Sequence, residues 1–184
     1  KFTLIISLVS LILLTPPVNA RRRRSDFDIT DNFTFNSFTG DYYITRDENN
    51  LAKMHVVETL VAKFPDYDQN HGIKRVIPAT NNNGKNIVIS SPSKFQAKVK
   101  RNGNEEPYTT SFTDGNIVLK IGNQNTFVTG EQTYTIEYDF ENVANNVELE
   151  KSANDAADTI HKFQEIYWNA NGSAWKQSFS SVTA

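Results

Sequence analysis

The chain has 184 residues, enough for one domain with a sizeable core, and no cysteine, which excludes a disulfide scaffold, thiolate metal sites and a cysteine nucleophile. Its 19 Lys and Arg against 21 Asp and Glu give a net charge of −2. Without Lys1 and Arg21 to Arg24 the remainder holds 14 basic against 21 acidic residues, a charge of −7 that repels phosphate backbones, so nucleic acid is not an expected partner.

In chain order, Lys1 precedes an apolar run from Phe2 to Leu14, then Pro16 and Pro17, then the small-x-small sequence Val18-Asn19-Ala20. The run is about thirteen residues long, whereas a span needs about twenty, so residues 1–20 are expected to be a signal-peptide helix cut after Ala20. Residues 21–25 form a basic linker. Its Arg21 to Arg24 favour the cytoplasmic side, so the competing reading is an uncleaved helix that leaves the body inside. The chain lacks an initiating Met and ends at Ala184 in an alternating segment, which reads as a piece of a longer protein, cut at the C-terminal end of the domain.

Residues 26–184 are expected to be one all-β domain. Phe27, Ile29, Phe33 and Phe35 share a parity that shifts at Ser37 and Phe38 to Tyr42 and Ile44, as a β-bulge near Ser37 would produce. After the turn cluster Asp47 to Asn50, a second strand puts Met54, Val56, Leu60, Ala62 and Phe64 on one face before Pro65. Phe95, Ala97 and Val99 form a third pattern. Asn102-Gly103 and Asp114-Gly115 supply the left-handed residues of tight turns, and Ile117, Leu119 and Ile121 follow. Tyr134, Ile136, Tyr138 and Phe140 alternate with Thr133, Thr135, Glu137 and Asp139, an inner and a water-facing row. Such strands build an antiparallel β-sandwich, immunoglobulin-like in general architecture. Over residues 142–160 the rhythm breaks, and the spacing of Leu149, Ala153, Ala156, Ala157 and Ile160 predicts one short helical insert.

Glu58 sits on the apolar parity, where an unpaired carboxylate is costly. Arg75, expected in the loop beyond Pro65, is its natural partner in a structural ion pair. A catalytic role for Glu58 is disfavoured, because no second acid lies nearby in sequence. Asp66, Asp68 and Asn70 have the D-x-D-x-N spacing of oxygen ligands for calcium, but His71 and Ile77 stand where an EF-hand needs Gly and Glu. A looser calcium loop is the alternative to a solvated acidic turn; no other cofactor is implied. None of His55, His71 and His161 has a second His at zinc-site spacing, and there is no G-x-S-x-G elbow. Tyr167, Trp168, Asn169 and Trp175 could form a glycan-stacking corner, or cap the core. Asn32-Phe33-Thr34 and Asn171-Gly172-Ser173 are glycosylation sequons.

Several of these pieces together resemble one family. They are an export signal; Val57-Glu58 running into Phe64-Pro65; the octet His71-Gly72-Ile73-Lys74-Arg75-Val76-Ile77-Pro78; Gly122; Gly130 with Thr133-Tyr134-Thr135-Ile136 and Tyr138; and Tyr167-Trp168-Asn169 with Gly172 and Trp175. This set resembles the N-terminal extracytoplasmic domain of the predicted bacterial membrane proteins grouped as domain-of-unknown-function family 2207, over roughly residues 26–184. The octet, in particular His71, Gly72, Ile73, Arg75, Ile77 and Pro78, is the most specific part. The resemblance implies a signal peptide, a β-rich domain outside the membrane, and membrane helices beyond the present C-terminus. It brings no reaction and no catalytic residues, and the insert from Glu148 to Ile160 departs from its pattern.

The expectation is therefore an exported, membrane-tethered sandwich that binds or supports at the bacterial cell envelope and is not an enzyme. Its expected partners are the membrane, through the signal or missing helices, and an envelope protein or glycan. One alternative is a carbohydrate- or peptide-binding surface domain, using the Trp168–Trp175 corner or the loop from Asp66 to Pro78. The other is an envelope hydrolase built on His71.

Overall fold

A computed structural model describes residues 29–79, 95–149 and 161–184. The signal segment, the basic linker and most of the expected helical insert lie outside these residues. Eleven strands and one 3-10 turn, Ile29–Asp31, make up the described fold. Strands β1 (Thr34–Arg46) and β2 (Ala52–Phe64) form the long hairpin expected from the turn cluster, where Asp47 Oδ1 accepts the backbone N–H groups of Asn49 and Leu51. The ladder slips between Phe35 and Ser37. This bulge is what keeps both Phe35 and Phe38 fully buried although they lie three apart. Ile44 follows the expected parity but lies near the far end of β1 and is exposed.

β3 (Ile73–Pro78), β4 (Ala97–Arg101), β5 (Asn104–Glu105), β6 (Tyr108–Thr113), β7 (Asn116–Ile121) and β8 (Gly130–Glu141) complete two sheets. The larger has the order β11-β1-β2-β8-β4-β5, where β11 is Val182–Thr183; the smaller is β3-β7-β6. All pairings are antiparallel except β1 with β11. Asn102-Gly103 and Asp114-Gly115 turn with positive φ at both residues, as the hairpins β4–β5 and β6–β7 require. The inner rows of β2 and β8 pack with Ile73 and Ile77 of β3 and Ile117, Leu119 and Ile121 of β7 in one apolar cluster. The molecule is thus the expected sandwich. On the outer face of β8, Glu137, Asp139 and Glu141 meet Lys98, His55 and Lys53 in exposed ion pairs of little energetic weight.

Two expectations need correction. The octet is not a loop: Ile73–Pro78 is a strand whose Ile73, Arg75 and Ile77 point inward. Pro78 is tolerated because β3 is an edge. The segment expected to begin the helical insert is also strand: β9 (Asn145–Leu149) pairs with β10 (His161–Glu165).

At the end of the β3–β7 ladder Gly72 and Gly122 face each other with φ of 143° and 130°. A Cβ on Gly72 would overlap the Ile121 carbonyl, and one on Gly122 the His71 carbonyl, so neither strand can carry a side chain there. Gly122→Ala should therefore destabilise the domain by about 2 kcal/mol or more in urea denaturation. An unchanged midpoint would mean that the backbones are free to separate.

Candidate functional site

The centre of the molecule holds a charge. Glu58, on the inner row of β2, is fully buried, and Arg75, on the inner row of β3, is 1% exposed. The two meet across the sandwich: Arg75 Nε donates to Glu58 Oε2 at 2.7 Å and Nη2 to Oε1 at 2.6 Å, a bidentate fork. Tyr138 of β8 donates its hydroxyl to the same Oε1 at 2.7 Å.

The remaining guanidinium donors are also used. Nη1 donates to the Val76 and Asn171 carbonyls at 3.0 Å each, and Nη2 to the Ala170 carbonyl at 3.3 Å. Five donors therefore meet five acceptors, which is the full capacity of an arginine. The cation also lies 5.8 Å from the Phe38 ring centre and 5.6 Å from that of Trp175. Burial on its own would lower the Arg75 pKa; the Glu58 charge and hydrogen bonds together outweigh it and hold the group above its ordinary value.

The acceptors at 170 and 171 belong to a C-terminal arm over residues 166–183. It runs beside β1, with Phe35 N–H donating to the Ser178 carbonyl, Ser180 N–H to that of Phe35, and Phe38 N–H to that of Ser181. β1 and β3 lie at the same side of the two sheets, and the arm touches both. Trp175 donates Nε1 to the Asn171 carbonyl at 2.6 Å and packs edge-on to Phe35. Tyr42 donates its hydroxyl to the Ala170 carbonyl at 2.9 Å. Gly172 (φ 76°) passes so close to Arg75 that a Cβ would lie 2.7 Å from Nη1.

The expected glycan corner is therefore divided. Trp168, half-buried, leans on Tyr42 and Phe140, Trp175 covers Arg75 and Phe35, and Tyr167 and Asn169 are exposed. Of the expected calcium ligands, Asn70 is buried and occupied, donating to the Thr30 carbonyl and accepting from Gln69, while Asp66 and Asp68 are exposed. Among the described residues no three His, Asp or Glu side chains converge as a metal site. His71 donates Nδ1–H to the Thr126 carbonyl at 3.0 Å and stacks on Phe127. Among the described residues no carboxylate or hydroxyl hydrogen-bonds its ring.

Sequence reasoning paired Glu58 with Arg75 but missed Tyr138, Tyr42 and the two arm carbonyls. Tyrosines on an apolar parity were the available signal, since a buried hydroxyl needs a partner. Two carbonyls about a hundred residues from Arg75 left no trace in side-chain pattern.

Glu58→Gln leaves a buried cation without its anion and should cost about 3 to 5 kcal/mol of stability, read as a lowered urea midpoint; an unchanged midpoint would contradict the structural pairing. Burial first, and the Glu58 charge second, push the Tyr138 pKa well above its ordinary value, and the same causes push Tyr42 up to about 12. A raised folded-state pKa means that the stabilising contribution is complete below the unfolded value near pH 10 and is lost above it. Unfolding free energy should thus fall above pH 10 by about 1.4 kcal/mol per pH unit for each such tyrosine, and Tyr138→Phe should make the fall shallower.

The family model described as the predicted membrane protein (DUF2207) N-terminal domain matches residues 34–184, and the chain belongs to that family. No curated protein matches the sequence. Among the described residues no helix is long and apolar enough to cross a membrane.

Proposed function

We propose that this member of the DUF2207 family is an exported, membrane-tethered sandwich that acts at the bacterial cell envelope by binding or support, not by catalysis. The observation that carries the reading is the sealing of its interior charge. Glu58 and Arg75 are closed off from solvent and saturated with one another and with backbone carbonyls, so neither can touch a substrate. Membership in a predicted membrane-protein family, together with the apolar leader and small-x-small sequence at residues 2–20, supports the tether and the export. A hydrolase centred on His71 is disfavoured because, among the described residues, no carboxylate or hydroxyl hydrogen-bonds the ring to complete a nucleophile and base pair.

The test is a reporter fused after Ala184 in a bacterial host. A phosphatase that folds only where disulfides form should be active. A silent phosphatase with a fluorescent cytoplasmic fusion would overturn the export, as would a full-length protein recovered wholly from the soluble fraction for the tether.

A further inference from the structure

A groove of about 930 Å³ opens where the arm passes the outer face of the small sheet, and it differs in charge from the rest of the molecule. Its charged lining is Lys74, Lys120, Lys176 and Asp31, with His71 beside them, in a chain whose body is acidic. Lys176 is committed to Asp31 at 2.6 Å. Lys74 and Lys120 have no such counter-ion among the described residues, yet they stand directly opposite in the β3–β7 register. Like charges at directly opposed positions cost stability, and their Cβ atoms lie only about 5 Å apart, so the two ammonium groups can close on one oxyanion. The other walls include the Trp175 ring, the Gln124 amide and the Thr109 hydroxyl. An indole with amide and hydroxyl groups around it suits a sugar, which stacks on the ring and takes hydrogen bonds from the polar groups.

We infer that this groove binds an acidic saccharide: Lys74 and Lys120 hold a carboxylate or phosphate, Trp175 stacks on the adjoining ring, and Gln124 and Thr109 bond its hydroxyls. The inference rests on the envelope-binding reading and names its ligand class. It also locates the binding surface away from Trp168, at Trp175 and the His71 to Lys74 end of the octet.

The experiment is calorimetric titration, with tryptophan fluorescence as a second readout, of trigalacturonate, maltotriose 6-phosphate, neutral maltotriose and a pentaglutamate peptide. At least one acidic sugar should bind, and whichever arm binds more tightly assigns the oxyanion. Neutral maltotriose should bind about tenfold more weakly or worse, and added salt should weaken the acidic sugar. Lys120→Gln, at an exposed position, should keep the melting temperature and reduce affinity about tenfold, the loss of one charge-assisted contact. Absence of binding by both acidic sugars, unchanged affinity in Lys74→Gln/Lys120→Gln, or equal binding of pentaglutamate would each overturn the proposal. Failure here with an active exported phosphatase fusion removes the ligand class and leaves the envelope reading standing; a cytoplasmic location removes the envelope reading, whatever the titration gives.

Discussion

Everything in this fold is arranged around one constraint, that a full positive and a full negative charge sit in the middle of an apolar core. A carboxylate on β2 and a guanidinium on β3 would each be prohibitively costly there alone. Their pairing ties the two sheets at a single point and demands further donors and acceptors, because neither group is satisfied by the other. Tyr138 supplies one from the large sheet, Val76 one from the small sheet, and residues 170 and 171 the rest. The register of three strands and the path of the arm are thus conditions on one another.

The arm also does what a disulfide often does, without cysteine. It lies along β1, places Trp175 over the guanidinium and fills the edge between the sheets with Phe179 stacked on Phe35 at 4.6 Å. Apolar area and directed hydrogen bonds are combined in one strip of chain. A buried salt bridge that could be replaced by well-packed apolar groups is weak evidence of stability in itself. Here the replacement would remove the donors that hold the two arm carbonyls to β3, leaving them to Tyr42 and Trp175 alone, so the pair is better understood as helping to specify where the arm must lie.

The strands were legible because their burial is one-sided: the rows of β2 and β8 alternate cleanly, and the turns at Asn102-Gly103 and Asp114-Gly115 have backbone demands that few residues meet. Glu58 was legible for the opposite reason, as the one residue that contradicts its row. β3 was not, since Lys74 and Arg75 are adjacent and only their directions tell them apart; charge hid an inward position in a six-residue strand. Asn145–Leu149 was not legible as a strand because its partner, His161–Glu165, lies more than ten residues on, with the helical spacing of Ala153, Ala156 and Ala157 between them in the sequence. The tryptophans posed a third difficulty. A ring that covers a guanidinium and a ring that receives a ligand call for the same residue, and the cover that Trp175 gives Arg75 rests on a contact a hundred positions away.

The arm's position has a consequence for the order of assembly. The parallel pairing of Phe38 with Val182, and the bonds from Arg75 to residues 170 and 171, join segments that are synthesised far apart in time. Contacts of such long sequence separation form late, since the intervening chain must be closed first. Without the arm the hairpin β1–β2 can pair, but Arg75 lacks the Ala170 and Asn171 carbonyls that complete its hydrogen bonds. Docking of the arm thus follows strand pairing, and it completes, covers and locks the Glu58–Arg75 centre in one step.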